Sequence, residues 1–134
     1  DYLNATLLRA IQSGAKNKPR VLHIEDDPDV ALIVSTLIAD IATVTLAKSF
    51  SEGKALLASE TFDLVILDLM LPDGAGEDLL TLAQGLAEEE PTFIVFSAKE
   101  VELSSFSNHI KASLVKSRTS NEKLVSTVRA AIES

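Results

Sequence analysis

A chain of 134 residues is long enough for one domain with a buried core, and 46% hydrophobic with 24% charged residues is an ordinary composition for a soluble globular protein. The absence of cysteine excludes disulfides, thiol nucleophiles and cysteine-based metal sites, and it suits a reducing compartment such as the cytoplasm. The formal net charge of −8 argues against a surface that binds nucleic acid or an anionic membrane, because both partners are polyanions.

The first 19 residues are predicted to form a helix and a linker that lead in from an upstream region. Four apolar residues recur there at helical spacing: Leu3, Leu7, Leu8 and Ile11. Residues 13–19 have the composition of a linker. Because the chain does not open on methionine, we expect a piece of a longer protein, with residues 1–19 as the connecting segment and residues 20–134 as the domain.

The domain opens on the apolar run Arg20–Ile24, which is typical of a buried strand. His23 lies within this run, and we interpret it as a core residue and not as a metal ligand. Asp27 can cap a following helix that has Pro28 in its first turn. Six apolar residues are predicted to lie on one face of that helix: Val30, Ile33, Val34, Leu37, Ile38 and Ile41.

A second strand is predicted near residues 42–46, and a short helix follows it and runs through Ala58. Ser49 with Glu52, or the adjacent Ser51, can cap this helix, because a side-chain oxygen there can accept from a free N–H group of the first turn. Here, as in the first unit, a helix directly follows a strand.

The third apolar run, Leu64–Leu67, is continuous, as expected of a strand that is buried on both faces of a parallel sheet. The run ends on a carboxylate, Asp68. Four residues that break regular structure follow it: Pro72, Asp73, Gly74 and Gly76. They predict a loop at the carboxyl edge of the sheet, which is where open α/β sheets bind ligands.

The rest of the chain continues the alternation. A third helix is predicted from about residue 76 to residue 87, with an inward face formed by Leu79, Leu80, Leu82, Ala83 and Leu86. Strands are predicted over residues 92–96 and 112–115. Residues 100–111 lie between them and are diluted by serine and asparagine, so we expect a truncated or irregular helix there.

Thr119 with Glu122 has the spacing of a capping box, and it predicts a last helix with an apolar face formed by Leu124, Val125, Val128 and Ile132. Five strands that alternate with helices predict an α/β fold, a doubly wound five-stranded parallel sheet with right-handed crossovers. The order expected for such a flavodoxin-like sheet is 2-1-3-4-5, which makes the first and third strands neighbours.

Polar side chains follow four of the five predicted strands at the same edge of the sheet: Glu25 with Asp26, then Asp68, Ser97 and Lys116. Any one of them alone could be a strand-end cap that water satisfies, but their convergence favours chemistry. Neighbouring carboxylates repel one another, and a magnesium ion relieves that repulsion. An aspartate beside a magnesium ion, a lysine and a hydroxyl can attack phosphorus and carry an acyl phosphate.

From about residue 20 to residue 134, the sequence resembles the receiver domain of two-component response regulators, such as the receiver of a hybrid sensor histidine kinase. Four motifs match: IEDDP after the first strand, the DLMLPDGAG block, the pair Ser97-Ala98, and the lysine in LVKS. Asp68, Pro72 and Gly76 fall at the family's D-x-x-x-P-x-x-x-G spacing.

The resemblance implies that Asp68 accepts a phosphoryl group from a phosphohistidine, on a histidine kinase or a phosphotransfer domain. It also implies a magnesium site formed by Asp26, Asp68 and the backbone carbonyl of Met70, with Glu25 acting through a water molecule. Such a domain catalyses only its own phosphorylation and slow dephosphorylation, so no turnover of small molecules is expected.

The resemblance further implies that Lys116 pairs with the phosphoryl group and that Ser97 hydrogen-bonds to it and so reports the phosphorylated state. Met70 and Lys99 occupy positions that, in the family, modulate how long the phosphoryl group survives. A homodimer is compatible with the family, whereas contact with nucleic acid or a membrane is not expected of this domain.

Three departures from the family pattern leave an alternative open. Ser113 stands three residues before Lys116, where the family usually has an aromatic residue; Ser117 replaces the usual proline; and the segment from Ser97 to Lys116 is short. The alternative is therefore a receiver used for docking or dimerisation without phosphorylation. A phosphatase of the haloacid dehalogenase type is disfavoured, because Met70 occupies the position of its second acid.

Overall fold

The structure is a computed structural model that describes residues 18–86, 91–100 and 110–133. These residues form seven strands: β1 Arg20–Ile24, β2 Thr43–Ala47, β3 Leu64–Leu67, β4 Met70–Leu71, β5 Gly74–Ala75, β6 Thr92–Ser97 and β7 Ile110–Val115. They also form four α-helices and one short 3₁₀ turn: α1 Pro28–Ile38, α2 Phe50–Ser59, α3 Gly76–Leu86, α4 Asn121–Glu133, and the turn Lys116–Arg118. The predicted N-terminal helix lies outside the described residues.

Five of the strands form one parallel sheet in the order β2-β1-β3-β6-β7. The other two, β4 and β5, pair with each other in a small antiparallel hairpin, Met70 opposite Ala75. Once the hairpin strands are set aside, the order of the sheet is 2-1-3-4-5. The doubly wound, flavodoxin-like fold predicted from the alternation of elements is therefore confirmed. At its centre β1 pairs with β3, Ile24 opposite Leu67.

Apolar side chains fill both faces of the sheet, because all four residues of β3 are buried and alternate between the faces. On one face, α1 and α4 cover the cluster formed by Val21, Val34, Ile38, Leu64, Ile66, Ile94, Leu124 and Val128, among others. On the other face, α2 and α3 cover a cluster that includes Leu22, Ile24, Leu57, Val65, Leu67, Leu79, Leu80 and Val95. Burial of each such side chain contributes about 1.5–3 kcal/mol to the stability of the fold. The packed core therefore holds the strands, and the residues at their ends, in place.

The first two helices begin where their capping residues predict. Asp27 Oδ1 accepts a hydrogen bond from Asp29 N at 2.9 Å, and Pro28 opens α1. Ser49 Oγ accepts from Glu52 N at 3.1 Å and caps α2. The apolar face predicted for α1 is wrong at Ile33, which is 50% exposed. The fully buried residues of α1 are Ala31, Val34 and Ile38, because burial follows the steps of three and four residues from Ala31. The predicted positions Val30, Leu37 and Ile41 are partly buried and pack against the same cluster.

Three other local predictions are wrong. The hairpin replaces the irregular loop expected after Asp68, and Pro72 with Asp73 forms its turn. The last helix is capped by Ser120 Oγ, which accepts from Lys123 N at 3.0 Å, and not by Thr119, whose hydroxyl donates to Val115 O. Ile110 and Lys111 belong to β7 and not to a helix, because a bulge in the pairing with Phe93 and Ile94 extends that strand. Residues 101–109 lie outside the described part of the chain, so the irregular helix stays a prediction.

Candidate functional site

The carboxyl ends of β1, β3, β6 and β7 bring the predicted polar residues to one edge of the sheet. The backbone hydrogen bonds of the parallel sheet continue one residue beyond the strands. Asp68 N donates to Ile24 O at 3.0 Å, and Glu25 N donates to Ala47 O at 2.9 Å. Glu25 and Asp68 are therefore held by backbone bonds at neighbouring positions. Both side chains are buried, whereas Asp26 is exposed.

Asp68 is the centre of the contacts at this edge. Its Oδ1 accepts hydrogen bonds from Met70 N at 3.0 Å and from Ser97 Oγ at 3.2 Å. Its Oδ2 accepts from Lys116 Nζ at 3.1 Å. Ser97 itself is fully buried. The carboxylate is thus held by a backbone amide, a hydroxyl and an ammonium group that come from three separate segments.

Lys116 lies between two carboxylates. Its Nζ is 3.1 Å from Asp68 Oδ2 and 2.8 Å from Glu25 Oε1. Glu25 Oε1 is buried, and Lys116 is its partner at this edge. The other oxygen, Glu25 Oε2, accepts from Asp27 N at 3.2 Å.

Burial and neighbouring charges set the protonation states of these groups. Burial raises the pKa of Glu25 to about 7, against the hydrogen-bonding and charge of Lys116, which lower it. Burial also acts to lower the pKa of Lys116, but its contacts with Glu25 and Asp68 outweigh that effect and hold the pKa above its usual value. The site therefore keeps its ammonium group charged at neutral pH, while Glu25 is close to its titration midpoint.

The donor set fits a hard divalent cation. Glu25, Asp26 and Asp68 each offer a carboxylate oxygen, and these oxygens lie within 4.8 Å of one another. Magnesium prefers one or two carboxylates with other oxygen ligands. All three acids were predicted to converge here from the ends of their strands.

The carbonyl group of Met70 is free to join this set. Gly76 N donates to Leu69 O at 3.0 Å, and this bond brackets the pair formed by Met70 and Ala75. In an antiparallel ladder, a pair bracketed in this way is the non-hydrogen-bonded type. The hairpin therefore leaves the carbonyl oxygen of Met70 without a ladder partner.

The remaining sequence candidates lie outside these contacts. Lys99 and Ser113 are exposed. His23 is in the core, as expected, and neither of its ring nitrogens has a hydrogen-bond partner. Asp73, considered from the sequence only as a loop residue, accepts hydrogen bonds from the first turn of α2. No local signal could identify that contact, since an aspartate beside proline and glycine is typical of any turn.

Within the described residues, no helix is long and apolar enough to cross a bilayer.

The family model of the response regulator receiver domain matches residues 21–128. This match includes all the site residues described above.

Two characterised proteins match the chain over part of their length. A segment of 80 residues, 59% of this chain, is 30% identical to the response regulator protein PilR of Pseudomonas aeruginosa and covers 18% of it. A segment of 81 residues, 60% of this chain, is 33% identical to the transcriptional regulatory protein DltR of Streptococcus agalactiae and covers 36% of it. The similarity therefore concerns a part of each relative.

Solved structures share the whole fold. The non-phosphorylated HemR receiver domain from Leptospira biflexa is 27% identical with a TM-score of 0.74, and the alignment covers 87% of this chain and 96% of that domain. A CheY-like response regulator receiver domain protein from Methanospirillum hungatei is 22% identical with a TM-score of 0.74, over 87% of this chain and 95% of that chain. The second likeness concerns the fold alone.

Proposed function

The chain belongs to the family of response regulator receiver domains, and we propose that residues 20–134 act as a phospho-accepting receiver with Asp68 as the acceptor. The observation that supports this most strongly is the set of contacts at Asp68: a buried carboxylate beside Lys116, Ser97 and two further acids. The donor is a phosphohistidine on a histidine kinase or a phosphotransfer domain. Residues 1–19 are then the connection to a preceding region.

The reaction is a phosphoryl transfer in which Asp68 is the nucleophile. The bond between phosphorus and the donor's imidazole nitrogen breaks, a bond between phosphorus and an Asp68 oxygen forms, and the imidazole takes up a proton. Lys116 stabilises negative charge on the transferred group, because its Nζ lies 3.1 Å from the oxygen that it neutralises before the reaction. We expect the activity to be limited to phosphorylation of Asp68 itself and its slow dephosphorylation.

Ser97 is proposed to report the state of Asp68. Its hydroxyl donates to Asp68 Oδ1 at 3.2 Å before phosphorylation. Once the carboxylate is esterified, its charge moves to the phosphoryl oxygens, which are stronger acceptors for a hydroxyl group. A rotation about χ1 of Ser97 can then exchange one acceptor for the other, and the buried position of Ser97 transmits the change to its neighbours in β6.

A magnesium ion is proposed at the acidic cluster. Asp26, Asp68 and the carbonyl of Met70 would hold it, and Glu25 would act through a water molecule. When bound, the cation neutralises charge that builds up on the phosphoryl oxygens. Met70 N, Ser97 Oγ and Lys116 Nζ hold the nucleophile fixed in position.

The partner is proposed to dock beside this edge, in the cytoplasm. Leu32 and Met70 are 66% and 52% exposed, and Ile33 is half-exposed. Leu32 also lines a surface cavity of about 560 Å³ together with Glu25 and Asp26. An apolar helix face of a phosphotransfer partner could cover this surface next to the acceptor. A homodimer is compatible with this arrangement, and the net charge disfavours nucleic acid and membranes.

The proposal is tested by incubating the protein with acetyl phosphate and magnesium and measuring intact mass. The expected result is one added phosphoryl group in the wild type and none in Asp68→Asn. Wild-type protein that gains no mass, and whose amide spectrum does not shift on addition of beryllofluoride with magnesium, would refute the proposed function.

A second candidate, docking or dimerisation without phosphorylation, is favoured by one observation. Ser113 is polar and exposed on β7 at the position where the family usually has an aromatic residue. An Asp68→Asn protein with unchanged oligomer size and partner affinity would support this candidate. A clear change in either property would support the phospho-accepting receiver.

A further inference from the structure

Asp73 joins the hairpin to the start of α2. Its Oδ1 accepts a hydrogen bond from Phe50 N at 2.7 Å. Its Oδ2 accepts from Ser51 N at 3.1 Å and from Ser51 Oγ at 2.8 Å. One exposed carboxylate thus satisfies two free N–H groups and a hydroxyl in the first turn of a helix that is 22–23 residues earlier in the chain.

Two glycines fix the position of the same hairpin. A Cβ atom on Gly74 would lie 2.8 Å from the ring of Phe50, so the hairpin packs directly on the first residue of α2. A Cβ atom on Gly76, the first residue of α3 directly after the hairpin, would lie 2.5 Å from Asp68 O, and Met70 N of the hairpin donates to Asp68 Oδ1 at 3.0 Å. The hairpin is therefore in contact with α2 on one side and with Asp68 on the other.

The first turns of α2 also contact the strand that leads to Glu25 and Asp26. A Cβ atom on Gly53 would lie 2.8 Å from Ile24 Cδ1, so α2 packs closely on the last residue of β1. In consequence α2 connects the two segments that supply oxygen ligands. One is the end of β1, with its acids; the other is the hairpin, with the free carbonyl of Met70.

We propose that Asp73 is a positioning residue for the cation site, which fixes the hairpin against α2 and so holds the Met70 carbonyl in place relative to Asp26 and Asp68. This inference rests on the proposed function, because it takes the acidic cluster as a magnesium site. Outer-shell groups that orient metal ligands commonly change metal affinity by about 10–100-fold when they are removed. Asp73 touches no ligand oxygen directly, so it acts through the backbone of the hairpin.

The ionisation of Asp73 is consistent with this role. The hydrogen bond from Ser51 Oγ, with those from the amides of Phe50 and Ser51, holds the pKa of Asp73 below its usual value. A negative charge at the N-terminus of a helix is also favoured by the helix dipole. The hydrogen bonds from Phe50 and Ser51 to the Asp73 carboxylate are therefore retained throughout the neutral pH range.

The test compares Asp73→Ala with Asp63→Ala by titrating each protein with magnesium chloride and following amide shifts by NMR. Asp63 is a matched control, because it is also an exposed aspartate that accepts from a backbone amide, Arg20 N at 2.8 Å, but at the other end of β3. We expect magnesium affinity to fall roughly tenfold in Asp73→Ala and to stay within twofold in Asp63→Ala. The loss of thermal stability, measured for each variant, should be larger in Asp73→Ala, because Asp73 accepts three hydrogen bonds and Asp63 accepts one. Equal magnesium affinity in the two variants would overturn the inference.

Two further variants separate positioning from general destabilisation. Asp73→Asn keeps one carbonyl oxygen for Phe50 N and should recover part of the affinity, whereas Ser51→Ala removes only the hydroxyl bond and should lose the least. An affinity loss that follows thermal stability across all four variants would count against positioning. If the wild type itself shows no magnesium-dependent shifts, the proposed function fails together with this inference; shifts that are the same in wild type and Asp73→Ala refute the inference alone.

Discussion

The two edges of the central sheet have similar charged side chains in different surroundings. At the amino edge, Asp63 is exposed and accepts from Arg20 N, and Arg20 forms an ion pair with Glu60 in which both side chains are about two-fifths exposed. At the carboxyl edge, Asp68 and Glu25 are buried and share the ammonium group of Lys116. An aspartate at the end of a strand therefore becomes chemically useful through burial and converging partners, not through its residue type.

The largest difference should appear when the two cations are removed. Lys116→Met leaves the buried carboxylate of Asp68 without its cation, which should lower the free energy of unfolding by about 4 kcal/mol. Arg20→Met breaks an exposed pair and should cost less than about 1 kcal/mol. Urea denaturation at neutral pH measures both changes, and equal losses would contradict the comparison. Magnesium binding should survive in Lys116→Met, whereas the conformational response to phosphorylation should not.

Two buried groups near the carboxyl edge, His23 and Glu25, should respond to pH in opposite directions, and the exposed groups of the amino edge should add no comparable effect. Burial, with a smaller effect of the Lys116 charge, lowers the pKa of His23 to about 4. A depressed pKa stabilises the fold above the unfolded value of 6.5, and this stability, about 3 kcal/mol, is lost as pH falls through 4. Glu25 acts in the opposite direction: its raised pKa stabilises the fold below 4.5, and that contribution is lost as pH rises through 7.

His23→Leu separates these two effects, because it removes one titration and leaves the other. The variant should gain stability relative to the wild type as pH falls from 6.5 towards 4. Its own stability without magnesium should decline as pH rises from 4.5 to 7. Denaturation curves at a series of pH values measure both trends, and a constant difference between the two proteins would show that His23 does not remain neutral in the fold.

The third difference concerns magnesium. Asp26 is proposed as a ligand, so Asp26→Asn should weaken magnesium binding about 100-fold, which corresponds to about 2.7 kcal/mol. Asp63→Asn should leave it unchanged, because Asp63 lies at the opposite edge. Calorimetric titration with magnesium chloride measures both affinities. A similar loss in Lys116→Met and in Asp26→Asn would contradict the separate roles given to these residues.

The smallest effect is expected at the amino edge itself. Asp63→Ala removes one acceptor from the Arg20 amide, and a single hydrogen bond of this kind contributes about 1 kcal/mol. Phosphorylation of Asp68 by acetyl phosphate should proceed at the wild-type rate in this variant. A slower reaction would show that the two edges are coupled through β3.

The site could be predicted from the sequence to the extent that strand ends decide it. Leu64–Leu67 must be buried on both faces, so Asp68 has to emerge at the carboxyl edge, and the same reasoning applies to Glu25, Ser97 and Lys116. The order of the strands then makes these ends converge. A continuous apolar run is a strong local signal for a buried strand, and the bounds predicted from it for β1 and β3 match the observed bounds.

What could not be predicted depends on contacts between distant segments or on a choice between adjacent groups. Thr119 and Ser120 can both cap α4, and only the path of the chain after Lys116 selects Ser120. The bonds from α2 to Asp73 join residues far apart in sequence, so turn composition alone did not reveal them. The hairpin depends on pairing of Leu71 with Gly74 across a two-residue turn. Such a short pairing leaves no pattern of apolar residues in the sequence, so it was not predicted.

The most direct test of the central claim is an NMR titration of the wild-type protein with beryllofluoride and magnesium, in which the amide signals of Asp68, Ser97 and Lys116 are followed. We predict saturable shifts of all three signals that need both magnesium and beryllofluoride and that are absent in Asp68→Asn. Signals that stay in place in the wild type, or that shift equally in Asp68→Asn, would contradict the assignment of Asp68 as the phosphoacceptor.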